Sequence, residues 1–279
     1  LGGEASLRLG LYRHIILKND VLESTRGEQF RAKFSAAAER SKDALLLGYD
    51  RLFLARHCHY YGISRSPSRA DEWYDETEQL FETSEDAYGL AQMAVGRARL
   101  LRNRGEFDES ETWIDRAASR LGESTPVDDR EAYLIDYERA LLHQERGELE
   151  SAIQRARRLR HFYRSNALAQ FRAAQILIPI HLLRGDVQDV ERLIEECQAF
   201  LEGPPPCVGT AWLARQKTRL NLALDRPEVA HGELNILEDQ LRDEGLMGHP
   251  YVALAFHTSR AQALIALVNR KTRIGEPRR

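Results

Sequence analysis

Apolar residues recur along this chain at the three- and four-residue spacing of a helix face. Leu90, Ala91, Ala94, Val95, Ala98 and Leu101 share one such face, and Trp113, Ile114, Ala117, Ala118 and Leu121 form the next. Leu149, Ile153, Ala156 and Leu159 mark a third stripe. No stretch alternates apolar and polar positions over six residues, as a half-buried strand would. Proline and glycine fall between the stripes, at Pro67, Pro126, Gly203-Pro204-Pro205-Pro206 and Gly248-His249-Pro250. Pro179 is the exception; it sits inside an apolar helical stretch and predicts a kink there. The pattern predicts an all-α protein whose last helix covers residues 250–270.

The polar residues between the stripes repeat too. Arg-Gly-acid occurs as Arg26-Gly27-Glu28, Arg104-Gly105-Glu106, Arg146-Gly147-Glu148 and Arg184-Gly185-Asp186, each time between two helical stretches. Glycine suits a left-handed helix end. Arginine before it and an acid after it favour the C-terminus of one helix and the N-terminus of the next. A small or modest residue follows each turn: Ala32, Ala70, Ser110, Ala152, Val190 and Ala230, at steps of 38, 40, 42, 38 and 40. Asp225 stands in place of glycine in the last unit, and a longer connection follows Gly62. Seven residues before the turn stand Ala55, Ala98, Ala140, Ile178 and Thr218, which let paired helices approach closely; Asp20 breaks this rule in the first unit.

A small residue, a glycine turn, an acid and another small residue five positions on resembles the tetratricopeptide repeat, with a unit closer to the long repeats of MalT-type regulators and other bacterial sensor proteins. The resemblance covers about residues 5 to 242 of 279. It implies one helical-repeat domain, 1–279, a right-handed superhelical stack of antiparallel helix pairs over 5–40, 41–83, 86–122, 128–164, 166–202 and 208–244. It also implies that first helices line a concave groove. Counting back from each turn places Tyr49, Arg56, His59, Gln92, Arg99, Arg102, Tyr137, Gln144, Arg172, Gln175, Trp212, Arg215 and Arg219 there, with almost no acid. Arginine offers bidentate bonds to carboxylates, and tyrosine and tryptophan supply contact area. An acidic peptide, an acidic helix or the C-terminus of a partner fits such a face.

Composition narrows the classes of function. The sequence is 43% hydrophobic and 30% charged, with a net charge of −3, which draws neither nucleic acid nor anionic lipid as a whole. No apolar run approaches the ~20 residues of a membrane span. Cys58, Cys197 and Cys207 form no CxxC pair, which reads as a reduced, cytoplasmic protein without a disulfide framework or structural zinc. No P-loop, HExxH or GxSxG motif occurs, so neither catalysis nor a cofactor is expected. His57-Cys58-His59 cannot share a metal on one helix, because residues two apart point to different faces. The acids Asp71, Glu72, Asp75 and Glu76 and the cluster Arg155, Arg157, Arg158, Arg160 and Arg164 read as solvated faces. Cys207 has no activating neighbour in sequence. Leu1 and the basic tail from Lys271 to Arg279 suggest a piece of a longer protein, and an uncovered terminal helix suits a homodimer. The reading is a scaffold or sensor module that holds a peptide or protein partner; the alternative is an effector-binding regulatory domain of a larger transcriptional, signalling or defence protein.

Overall fold

The computed structural model describes residues 34–61, 68–123, 129–202, 207–248 and 250–275, and among them every regular element is a helix. Residues 34–41 are helical, and the helices that follow are α1 Ala44–Tyr61, α2 Ser68–Thr83, α3 Ala87–Asn103, α4 Phe107–Glu123, α5 Asp129–Glu145, α6 Leu149–Phe162, α7 Ala167–Arg184, α8 Val187–Leu201, α9 Val208–Ala223, α10 Pro227–Asp243 and α11 Pro250–Gly275. A short 3₁₀ turn, Leu246–Gly248, links α10 to α11. The expected repeat over 5–40 lies almost wholly outside the described residues. Two compact units are present. Among the described residues, the first runs to Leu177 and the second begins at Ile178, within α7. That helix continues through Pro179.

Odd and even helices bury their residues differently. In α3 every residue from Gly89 to Gly96 is buried, as are Ala98 to Arg102. In α6 only Ala152, Ile153, Ala156 and Leu159 are buried, and in α8 only Val190, Leu193, Ile194 and Cys197. A helix buried all round has neighbours on every side, whereas a single stripe means one covered face. Within the first unit α1 packs on α2, α3 on α4 and α5 on α6, while α1 also touches α3 and α3 touches α5. Within the second unit α9 packs against α8, α10 and α11.

The turns explain the reversals. Gly105, Gly147 and Gly185 have φ of +81°, +80° and +77°, and Asp225 has φ of +55°. At each, two bonds close the helix end. Gly105 N–H donates to the Arg102 carbonyl and Glu106 N–H to the Leu101 carbonyl; the same pair recurs at Gly147, Gly185 and Asp225. Glu85, with φ of +52°, closes α2 in the same way, at a residue that no sequence signal marks as left-handed. This is the left-handed cap in which glycine carries no Cβ penalty. Two of the acids after the glycine meet side chains on the preceding helix. Glu148 and Asp186 make no side-chain cap bond; instead Glu148 Oε2 lies 2.5 Å from His143 Nδ1 and Asp186 Oδ2 lies 2.9 Å from His181 Nδ1.

The small residues meet across the pairs. Ala98, Ser110, Ala140, Ala152, Ile178, Val190, Thr218 and Ala230 are all essentially inaccessible. Ser110 Oγ donates 2.8 Å to the Ala98 carbonyl, so this contact includes backbone. Around it, Ala91, Ala94, Val95, Ile114, Ala117, Leu121, Ile135 and Leu142 form one core, flanked by Trp113. The second unit has its own core of Ala211, Ala230, Leu234, Leu237, Leu241, Leu246, Val252, Phe256 and Ala263.

Candidate functional site

The arginines expected along the first helices fall in both units, and each group is described within its own. In the first unit they connect consecutive odd helices. Tyr49 of α1 donates 2.8 Å to Asp86, just before α3. Arg56 of α1 donates 2.9 Å to the Gln92 side chain and backbone carbonyl of α3. Arg99 of α3 forms an ion pair with Glu138 of α5, and Arg102 pairs with Glu145 and lies 3.8 Å from Glu138. Tyr137 of α5 donates 3.1 Å to Gln175 of α7. Arg172 bonds Gln175 at 3.2 Å and lies 4.9 Å over the Tyr137 ring.

This row is therefore an internal ladder. The Arg99 and Glu138 side chains are 5% and 1% exposed, so the pair is desolvated and its charges answer one another. The expectation of a row with almost no acid fails here, because Asp86, Glu138 and Glu145 answer the polar groups that share their side. Glu138 and Glu145 each sit one residue away from a position counted back from the turn, Tyr137 and Gln144, and Asp86 lies before α3 begins. Their one legible signal is the spacing of 39 between Arg99 and Glu138, close to the repeat. Gln144 is half-buried, and the side chains of His57, Cys58 and His59 lie outside the described residues.

The second unit treats its arginines differently. Trp212, Arg215 and Arg219 stand at i, i+3 and i+7 of α9 and share one face. Trp212 is buried, and both arginines are half-buried. Arg219 donates 3.3 Å to the Gln216 amide oxygen. Among the described residues no carboxylate forms an ion pair with Arg215 or Arg219. Burial, with the Arg215 charge added, pushes the Arg219 guanidinium below its ordinary pKa. Elsewhere the shift runs the other way: the hydrogen bond that Arg104 donates to Asp71 raises Arg104, and the one that Arg146 donates to Glu111 raises Arg146.

The acidic residues on α2 are struts between helices as well as solvent contacts. Asp71 pairs with Arg104 at 2.6 Å, Asp75 with Arg97 at 2.5 Å and Glu76 with Arg51 at 3.0 Å. On α6, Arg157 and Arg158 are exposed, as is Arg164 just beyond it, while Arg155 pairs with Asp136 at 3.3 Å. Cys207 is buried and precedes α9, where its N–H bonds the Thr210 hydroxyl at 3.2 Å in a capping box. Among the described residues no group of three His, Cys, Asp or Glu side chains could hold a metal, and no helix is long and apolar enough to cross a membrane.

The sequence matches no protein-family model and shows no significant similarity to a curated protein.

Proposed function

We propose that this protein is a tetratricopeptide-like interaction module of the cytoplasm, a right-handed superhelical stack of helix pairs that holds a protein or peptide partner rich in carboxylates. In this reading it binds and does not catalyse. The recurring glycine turns, the close small-residue contacts and the succession of odd helices touching one another in the first unit support the stack. One observation carries the partner's chemistry: Arg215 and Arg219 form a half-buried cationic pair, beside buried Trp212, with no acid among the described residues to neutralise it. A guanidinium withdrawn from water needs a counter-charge, and a carboxylate meets its planar fork bidentately.

Selection of a random-peptide library on the full-length protein tests this reading. Peptides recovered should be acid-rich, and fluorescence anisotropy should show their affinity fall by about tenfold or more in the double variant Arg215→Glu/Arg219→Glu. Selection of acid-free peptides, or unchanged affinity in a variant whose circular dichroism is native, defeats it.

A further inference from the structure

The opposite face of α9 borders a cleft with the reverse electrostatic character. At 100° per residue, Leu213, Ala214 and Lys217 point away from Trp212, Arg215 and Arg219. They line a cleft of about 680 Å³ between α8, α9 and α10. Its walls include Leu213 and Leu237, and Ile236 stands on its edge with 66% of its surface exposed. Glu202, Asp243 and Glu244, all exposed, rim it. The lining holds one cation, Lys217, already bonded to Gln198 at 2.7 Å.

The first unit shows what closes such a crevice. There Arg97 of α3 reaches back to Asp75 of α2 and lies 4.8 Å over the Trp113 ring. Arg116 of α4 covers the same ring at 4.7 Å and pairs with Glu78 of α2. The crevice between the even helices is thus plugged by a tryptophan held between two acid-tied arginines. Counting from the small residue of each even helix, Ser110 and Ala230, places Glu233 where Trp113 stands and Ile236 where Arg116 stands. Counting from the turns places Lys217 where Arg97 stands. The second unit has no ring at this position and keeps one of the two cations, as a lysine. It has gained a carboxylate, held at 3.1 Å by Asn221, and an exposed apolar side chain.

We infer that this cleft is a second docking site, and that its occupant is a basic protein segment carrying an aromatic anchor flanked by arginine or lysine. The anchor would cover Ile236, Leu213 and Leu237, and its cations would meet Glu202, Asp243 and Glu244, restoring in trans what Trp113, Arg97 and Arg116 supply in cis. This site stands apart from the carboxylate-binding face and does not depend on it.

Three fluorescein-labelled probes test it on the full-length protein by anisotropy: a short peptide with one tryptophan flanked by arginines, its counterpart with glutamate for arginine, and its counterpart with serine for tryptophan. The first should bind, and each counterpart should bind about tenfold more weakly or worse. The double variant Glu233→Trp/Ile236→Arg rebuilds the first unit's plug at exposed positions. It should keep the native melting profile and lose the first probe by about tenfold or more. The milder Ile236→Ser should weaken binding about fivefold, the loss of one apolar contact. No binding of the first probe overturns the inference, as does binding of either counterpart as tight as that of the first probe, or full binding by the natively folded double variant. Sedimentation that shows a dimer broken by the double variant overturns it in favour of a second copy of this protein.

Discussion

The two units handle positive charge on their odd helices in opposite ways. In the first, Arg99 and Arg102 each reach a glutamate on the next odd helix, Arg56 reaches the Gln92 amide there, and Arg172 reaches the Gln175 amide on its own helix. In the second, Arg215 and Arg219 face only one another and the Gln216 amide among the described residues. Recurrence of arginine along a repeat does not define a binding surface, because the same residue type can serve as mortar between neighbouring units. What separates the two roles is whether the fold supplies the counter-charge.

The largest test of that contrast lies in the ladder. Glu138→Ala leaves Arg99 withdrawn from water with its ion-pair partner gone, and removes the second carboxylate near Arg102. Breaking one side of a buried pair costs about 3–5 kcal/mol, so urea unfolding should show a loss in that range. Replacing Glu138 and Arg99 together by apolar residues of similar size should recover most of it. A loss below about 1 kcal/mol for Glu138→Ala would mean that water reaches the pair and that the ladder is not mortar at all.

The next test asks whether the units also differ in how their helices pair. The burial values say they do not: Ala140 and Ala152 are inaccessible in one, and Thr218 and Ala230 in the other. Ala152→Leu and Ala230→Leu should each cost about 1–3 kcal/mol through overpacking, by similar amounts in both units. A markedly smaller loss at Ala230 would locate slack in the second unit's packing and not only in its charges.

The turns offer a smaller, sharper comparison. A Cβ at Gly147 would meet nothing within 4 Å, so Gly147→Ala isolates the backbone cost of the left-handed conformation, about 1–2 kcal/mol. Asp225 already bears that cost at φ of +55°, and Asp225→Gly should raise stability by up to about 1 kcal/mol. Thermal melts of the two variants should shift in opposite directions.

These contrasts show why part of the molecule was legible in sequence and part was not. Turn and pairing positions follow from local chemistry: glycine permits a positive φ, and small residues permit close approach, so Gly105, Gly147, Gly185, Asp225 and their flanking residues reveal themselves without a partner. The left-handed turn at Glu85 carries no such residue type and is invisible. The arginine row was legible as a shared face, because helical spacing fixes direction. Its acids were not, because they come from the next helix and that helix's rotation sets which of its positions meets Arg99. For the same reason Asp71 and Asp75 read as solvated, although their arginines stand 33 and 22 residues away.

The smallest expected effect discriminates most sharply between mortar and surface. Arg215→Met keeps the stem's apolar contact, leaves the Arg219 bond to Gln216 untouched and removes one member of a like-charged i, i+4 pair. Such a pair costs about 0.2–0.5 kcal/mol, so the variant should melt slightly higher than the parent at low salt. Raising the ionic strength to about 0.5 M should erase most of that gain, because the Debye length then falls to roughly 4 Å. The same substitution should weaken binding of an acidic peptide. A residue that only holds the fold together loses stability and binding together when removed. Arg215 is expected to gain the first while losing the second, and a variant that melts lower and binds unchanged would assign it to the ladder instead.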